Sequence, residues 1–106
     1  MEKIEKDVVV LGAGPGGYAA AFYASSHGLD VLLIDSSEKM GGVCLNEGCI
    51  PSKALIHATE VMKETEHSAE FGIVYPKPKV DLDKLRSWKN SIISKLNQGV
   101  ASLCKM

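Results

Sequence analysis

Two cysteines form the part of this chain in which residue types and spacing most directly suggest chemistry. Cys44 and Cys49 are separated by four residues in the run GGVCLNEGCIPSKAL, residues 41–55. Thiols this close in sequence can reach the narrow geometry of a disulfide, and the glycines and proline allow the chain to turn. A bridge that closes so short a loop stabilises a fold only slightly, so the spacing favours a bond that opens and closes reversibly.

Other uses of the two thiols have less support in the sequence. A structural zinc site needs four ligands, and neither Cys104 nor the histidines His27, His57 and His67 form a second ligand pair at suitable spacing. We therefore predict no metal, and inert thiols are the remaining alternative. His57 is predicted to be structural or exposed, and Cys104, on a helical pattern, to be a packed hydrophobic residue.

Lys53 follows Cys49 by four residues, so the two share one face if a helix begins near Cys49. An ammonium group there, together with the helix N-terminus, would lower thiol pKa values and stabilise a thiolate or an electron-rich flavin. The alternative for Lys53 is an ordinary exposed lysine on a helix.

A glycine-rich turn near the N-terminus predicts a binding site for a diphosphate. Gly12, Gly14 and Gly17 fit G-x-G-x-x-G directly after the apolar run DVVVL, and the helix N-terminus that follows such a turn attracts phosphate. Asp35 ends the next apolar run, near the distance at which a carboxylate accepts hydrogen bonds from a ribose. It would repel a 2′-phosphate, so the residues indicate an unphosphorylated adenine dinucleotide and leave FAD and NAD both open.

The pattern of apolar residues predicts an α/β fold. A strand over 7–11, buried on both faces, a helix over 16–27 ended by Gly28, and a strand over 31–34 form a β-α-β unit. A second helix is predicted from Pro51 or Ser52 to about Glu66, an extended loop over 71–80, and a last helix capped by Asp81. Two strands are too few for a complete doubly wound sheet.

Length and charge limit the classes of function. The 106 residues suffice for one domain, 24% of them are charged and the formal net charge is −1, so nucleic-acid binding is not expected. The N-terminus does not resemble a secretory signal, and no segment is apolar enough to span a bilayer. We therefore expect an intracellular, cytoplasmic protein that does not interact with membranes.

Three segments of the chain resemble the flavoprotein disulfide reductases, the class I pyridine nucleotide-disulfide oxidoreductase family. They are DVVVLGAGPGGYAAA, GGVCLNEGCIPSKAL and the helix that contains KLNQGVASL. Within the family the chain is most similar to the dihydrolipoamide dehydrogenase branch, with mercuric reductase as the nearest alternative. The resemblance implies the N-terminal β-α-β portion of a Rossmann-like FAD-binding domain.

The resemblance also implies roles for individual residues. Cys44 would be the thiol that exchanges with the substrate disulfide, Cys49 the thiolate that faces the flavin, and Lys53 a neighbour of the flavin's reactive edge. Electrons would pass from dihydrolipoamide through the disulfide and FAD to NAD. The residues implied in cofactor binding are Gly12, Gly14, Pro15, Gly16, Asp35, Ser36, Gly42, Val43, Cys44 and Lys53.

Two positions depart from the family pattern. Many relatives have Glu where Asp35 stands, and many have Thr where Val43 stands, which removes a hydroxyl near the flavin. Neither change removes a backbone amide or the carboxylate function.

We expect residues 1–106 to be the N-terminal portion of the FAD-binding domain, with the NAD, central and interface domains absent. The resemblance implies a homodimeric parent whose partner is the lipoyl group of a 2-oxoacid dehydrogenase or of a glycine-cleavage carrier protein. The 106 residues alone are not expected to turn over lipoamide. The alternative from another class is a non-catalytic module that binds a dinucleotide and senses redox state.

Overall fold

The N-terminal segment forms the predicted β-α-β unit. The computed structural model describes all 106 residues. Strand β1 (Val8–Leu11) is followed by helix α1 (Pro15–Ser26) and strand β2 (Val31–Ile34). The bounds agree with the sequence prediction to within one residue. Gly28 has φ +84° and its N–H donates to the Ser25 carbonyl at 2.9 Å, so it ends the helix as expected.

The two strands are parallel and in a register that runs from Val8 opposite Val31 to Leu11 opposite Ile34. The ladder continues beyond β1, because the Gly12 N–H donates to the Ile34 carbonyl at 2.7 Å. This pairing brings the turn after β1 next to the end of β2. In parallel α/β sheets, ligands bind at the carboxyl ends of the strands.

The prediction that β1 is buried on both faces is wrong in this structure. Val10 faces α1, because a Cβ added to Gly17 of that helix would lie 3.6 Å from the Val10 Cγ1 atom. The alternate side chains, Val9 and Leu11, are 53% and 78% exposed. Helix α1 covers one face of the sheet and no element of this chain covers the other. The buried apolar core is consequently limited to four residues, Ala13, Ala21, Leu45 and Ala54.

Three further α-helices follow the sheet. Helix α2 (Gly42–Asn46) was not predicted, and helix α3 (Cys49–His67) begins two residues earlier than expected. Pro51 lies in the first turn of α3, where its missing N–H leaves no hydrogen bond unmade. A 3₁₀ turn at Ser68–Phe71 closes α3, and the exposed segment 72–80 has no regular structure.

Helix α4 (Leu82–Leu103) has the predicted cap. The Asp81 carboxylate accepts hydrogen bonds from the N–H groups of Asp83 at 3.1 Å and Lys84 at 3.0 Å, which are donors that a helix start otherwise leaves free. The helix packs against α3 and α2. None of the four α-helices is both long and apolar enough to cross a membrane.

Cys104, which follows α4, does not pack as predicted. Its side chain is exposed, and the Sγ atom lies 3.4 Å from the Sδ atom of Met40. The periodicity of α4 placed Cys104 on a helical face, but the helix ends at Leu103. The thiol therefore lies past the last turn.

The chain is elongated. Its radius of gyration is 20.1 Å, whereas a compact domain of this length has about 13 Å. Its two parallel strands, joined by a helix in an incomplete sheet, have the architecture of the N-terminal part of a Rossmann-like FAD-binding domain.

Candidate functional site

The glycine turn between β1 and α1 has the geometry of a diphosphate cradle. Gly12 has φ +103°, a conformation that side chains disfavour, and a Cβ on Gly17 would overlap the Gly12 carbonyl. The backbone N–H groups of Gly14 and Gly16 donate to no acceptor in the protein, and a Cβ at either position would meet open space. Free amides at a helix N-terminus suit an anionic ligand.

Asp35, directly after β2, is bound to this turn. Its Oδ2 accepts a hydrogen bond from the Ala13 N–H at 2.6 Å, and its Oδ1 accepts one from the Ser37 N–H at 2.7 Å. These bonds, that from Ala13 first, lower the pKa of the Asp35 carboxyl below its ordinary value. Each carboxylate oxygen has a second lone pair, so the group can still accept hydrogen bonds from a ligand hydroxyl.

Cys44 and Cys49 are joined by a disulfide. Cys44 is the third residue of α2 and Cys49 the first of α3, with their Cα atoms 4.7 Å apart. The turn between the helices is closed by the Val43 carbonyl, which accepts hydrogen bonds from Glu47 at 2.8 Å and Gly48 at 2.7 Å. The Cys49 side chain is exposed and that of Cys44 half-buried.

The helix that carries Cys44 begins on the glycine turn. Gly41 has φ +100° and its N–H donates to the Ala13 carbonyl at 2.8 Å. Gly42 has φ +61°, and a Cβ there would lie 2.8 Å from the Gly14 Cα. The diphosphate cradle and the disulfide are therefore adjacent parts of one structure.

Lys53 lies one helical turn beyond Cys49 on α3. Its side chain is exposed and makes no ion pair or hydrogen bond with the protein. The first turn of α3 contains no acidic residue. The helix that begins at Cys49 therefore offers the positive end of its dipole and, one turn later, an ammonium group without an ion-pair partner.

A cavity of about 720 Å³ lies between the end of β2, helix α2 and helix α4. Four predicted cofactor-binding residues line it: Asp35, Ser36, Gly42 and Val43. The opposite wall comes from one face of α4, namely Asn90, Ile93, Ser94, Asn97 and Gln98. The other predicted residues lie outside the cavity lining, at the glycine turn (Gly12, Gly14, Pro15, Gly16), at the disulfide (Cys44, Cys49) and on α3 (Lys53).

Sequence reasoning missed Asn46 and Asn97. The Asn46 Nδ2 donates to the carbonyls of Gly42 at 2.8 Å and Met40 at 3.1 Å, and its Oδ1 accepts a hydrogen bond from the Asn97 Nδ2 at 2.8 Å. Fifty-one positions separate the two residues, so no local motif connects them. The structure contains no group of three or more histidine, cysteine, aspartate or glutamate side chains placed to hold a metal ion.

The site thus joins a glycine turn with free backbone amides to an adjacent disulfide, and comparison with known proteins shows the family to which the chain belongs. The family model for pyridine nucleotide-disulphide oxidoreductases matches residues 6–106. The chain belongs to this family, which confirms the resemblance found in the sequence motifs.

Curated relatives of this chain include dihydrolipoyl dehydrogenases. The chain is 50% identical to that of Vibrio cholerae over 99% of its own length and 22% of the relative's. It is 47% identical to the enzyme of Buchnera aphidicola from Acyrthosiphon pisum, over 98% of this chain and 22% of the relative. It is 50% identical to the enzyme of Halobacterium salinarum, over 93% of this chain and 20% of the relative. The chain thus spans about a fifth of the length of the curated relatives it matches.

Proposed function

We infer that residues 1–106 are the N-terminal portion of the FAD-binding domain of a dihydrolipoyl dehydrogenase. The observation that carries this inference is the contact of Gly42 with Gly14, because it places the helix of Cys44 directly on the diphosphate cradle. A non-catalytic module that binds a dinucleotide and senses redox state through its cysteines has no need of contact between the two sites.

The chain's own residues fit an adenine dinucleotide. The free amides of Gly14 and Gly16, with Pro15 between them at the start of α1, would hold the diphosphate. Asp35 and Ser36 would hold the ribose at the end of β2. Since α2 starts on the same turn, a dinucleotide bound there is close to Gly42, Val43 and Cys44. FAD fits this arrangement, and when bound it supplies a two-electron acceptor beside the thiol pair.

The step that the chain itself performs is thiol–disulfide exchange. One thiolate of a dithiol substrate attacks the Cys44 sulfur, forming a mixed disulfide and releasing Cys49 as a thiolate. The second substrate thiol then attacks the substrate sulfur in that bond and releases Cys44. Two electrons and two protons leave the substrate, which becomes a cyclic disulfide, and the Cys44–Cys49 bond is reduced.

The surroundings of Cys49 suit a thiolate. It is the first residue of the 19-residue helix α3, whose first turn contains no acid. The helix N-terminus and the Lys53 ammonium one turn away both stabilise negative charge. We assign Cys49 as the thiolate that faces the flavin, and Lys53 as a neighbour of the flavin's reactive edge.

For the whole protein we propose the activity stated in the relatives' name, dihydrolipoyl dehydrogenase. The substrate is then a lipoyl group on a 2-oxoacid dehydrogenase or a glycine-cleavage carrier protein, and NAD is the final acceptor. We also propose that the whole protein is a cytoplasmic homodimer. The proposed activity is supported by identities of 43–50% to dihydrolipoyl dehydrogenases over nearly all of this chain.

Flavin titration tests the proposal on the chain itself. The purified chain is incubated with FAD, freed of unbound flavin by gel filtration, and reduced anaerobically with dithionite. We expect retained flavin and, after two electrons, a long-wavelength absorbance from a thiolate beside oxidised flavin. Cys104→Ser is the matched control and should show the same band. Failure to retain FAD, or retained FAD with no such band, would contradict the proposal, and the second result would favour a non-catalytic module.

A further inference from the structure

We propose that Asn97 of α4 is a positioning residue for the Cys44–Cys49 disulfide, acting through a side-chain clasp with Asn46. This inference rests on the proposed redox function of the cysteine pair. The clasp consists of the two amides and the three backbone carbonyls that they contact, those of Met40, Gly42 and Ile93.

The hydrogen bonds of the clasp fix the orientation of both amides. The Asn46 Nδ2 faces the carbonyl oxygens of Met40 and Gly42, so that atom must be the donor. Its Oδ1 is then the atom that faces Asn97. The Asn97 Nδ2 lies 2.8 Å from this oxygen and 3.0 Å from the Ile93 carbonyl. A flip of either amide would bring oxygen against oxygen.

This orientation has a cost in the folded chain. The Asn97 Oδ1 is buried and has no hydrogen-bond partner. An unsatisfied buried acceptor destabilises a fold, and such groups are rare enough to need an explanation. A leucine would remove the orphan oxygen and favour the helix more than asparagine does. Stability alone therefore does not account for Asn97.

Helix α2 needs an external hold because it has only five residues, far fewer than a helix requires to be stable by itself. Asn46 is its last residue, two positions after Cys44. The bond from Asn97 to Asn46 is the one side-chain hydrogen bond that joins α2 to α4. Past the end of α4, the Cys104 Sγ atom also lies 3.4 Å from the Sδ atom of Met40.

The clasp and the disulfide restrain the same short helix, so each lowers the entropy that the other must overcome. The disulfide holds Cys44, in the middle of α2, against the start of α3, and the clasp holds Asn46, the last residue of α2, against α4. When the disulfide is reduced, the clasp keeps Cys44 close to Cys49 and ready to close again. Loss of the clasp should therefore shift the equilibrium toward the dithiol.

The test is the thiol–disulfide equilibrium of the chain with reduced and oxidised dithiothreitol, measured by trapping the free thiols. Each dithiothreitol transfers two electrons and two protons to the Cys44–Cys49 bond. Asn97→Leu should shift the equilibrium about 2- to 10-fold toward the dithiol, the range of one lost hydrogen bond. Its helical circular-dichroism spectrum should match that of the wild type. Ser102→Ala removes a hydrogen bond within α4 only and should not move the equilibrium.

A double-mutant cycle separates the clasp from other effects. Asn46→Leu combined with Asn97→Leu should shift the equilibrium by less than the product of the two single shifts, because both remove the same bond. Asn97→Ala serves as the second variant if the leucine packs poorly. An unchanged equilibrium in Asn97→Leu overturns the proposal. Loss of the helical circular-dichroism spectrum in both Asn97 variants also overturns it, since the clasp would then serve the fold alone.

The result can be distinguished from failure of the proposed function. If the wild-type disulfide cannot be reduced and reoxidised, the redox proposal fails. If it exchanges reversibly in the wild type and identically in Asn97→Leu, only the clasp is refuted.

Discussion

Gly42 of α2 packs against Gly14 of the glycine turn, at a separation that leaves no room for a side chain on Gly42. A Cβ there would lie 2.8 Å from the Gly14 Cα, and the backbone of Gly42 is left-handed with φ +61°. The two motifs that the sequence presents separately, the G-x-G-x-x-G turn and the cysteine pair, are thereby in direct contact.

Replacing Gly42 with alanine should break this contact. Strain from the positive φ alone costs about 1–3 kcal/mol, and α2 must move away from the turn to accommodate the methyl group. We expect a lower free energy of unfolding, measured by urea denaturation. We also expect at least about 10-fold weaker FAD binding, measured by flavin fluorescence, because a loss of about 1.4 kcal/mol in binding free energy corresponds to tenfold in affinity. Gly99→Ala is the matched control, because Gly99 is helical and nothing surrounds its Cβ position. It should stabilise the chain by about 0.5–1 kcal/mol. Wild-type FAD affinity in Gly42→Ala would contradict the expected contact.

Asp35→Ala should weaken FAD binding by about 10-fold or more, because hydrogen bonds between a ribose and a charged acceptor are strong. The Ala13 N–H also loses its acceptor. Isothermal titration calorimetry with FAD measures the effect. Asp83→Ala removes an exposed carboxylate that pairs with Arg86 on α4, and its affinity should match the wild type. Equal affinities for all three chains would show that Asp35 does not contact the ribose.

The depressed pKa of Asp35 predicts a specific pH dependence. Ionised Asp35 stabilises the folded chain at pH values above the unfolded value near 3.8. That stabilisation is lost as the pH falls through the lower folded pKa, since protonation removes the acceptor of the Ala13 N–H. In a carbon-detected NMR titration, the Asp35 carboxyl should titrate at lower pH in the folded chain than in the urea-unfolded chain. Equal titration midpoints in the folded and the unfolded chain would show that the two backbone hydrogen bonds do not lower the pKa of Asp35.

The two cysteines should differ in their effect on the flavin. With FAD bound, Cys44→Ala leaves Cys49 as an unpaired thiolate at the start of α3 and should show the long-wavelength band without any reductant. Cys49→Ala removes the thiolate that we assign to the flavin side and should lack the band even after two-electron reduction. Absorbance spectra of the two variants decide this. The opposite pattern would reverse the assigned roles.

Asp81→Ala should lower the free energy of unfolding by about 1 kcal/mol, the usual cost of losing an N-cap. The reason is that the N–H groups of Asp83 and Lys84 lose their acceptor. Chemical denaturation followed by circular dichroism measures the change. Ser102→Ala should cost much less, because its exposed hydroxyl bonds only within the helix. Equal losses in the two variants would argue against the cap.

Local sequence signals predicted the elements whose causes are local. Gly28 ends α1, Asp81 caps α4, and the run of β-branched residues forms β1. The cysteine spacing predicted the bonded pair for the same reason, since only five positions separate Cys44 from Cys49.

The features that sequence reasoning missed depend on tertiary contacts. Helix α2 is a single short turn whose position is set by Ala13 and Gly14, distant along the chain. The pairing of Asn46 with Asn97 depends on how α4 packs, and no periodicity encodes it. The exposure of Val9 and Leu11 was mispredicted because a strand's composition shows that it can be buried on two faces, and only the packed layers show whether it is.

The bare face of the sheet has a practical consequence for the isolated chain. Two short parallel strands with exposed apolar side chains and unpaired outer edges are a template on which further strands can assemble. At high concentration this surface should favour self-association, and it should be the first site to bind a chaperone or a hydrophobic dye. Dilute handling is therefore part of working with this polypeptide.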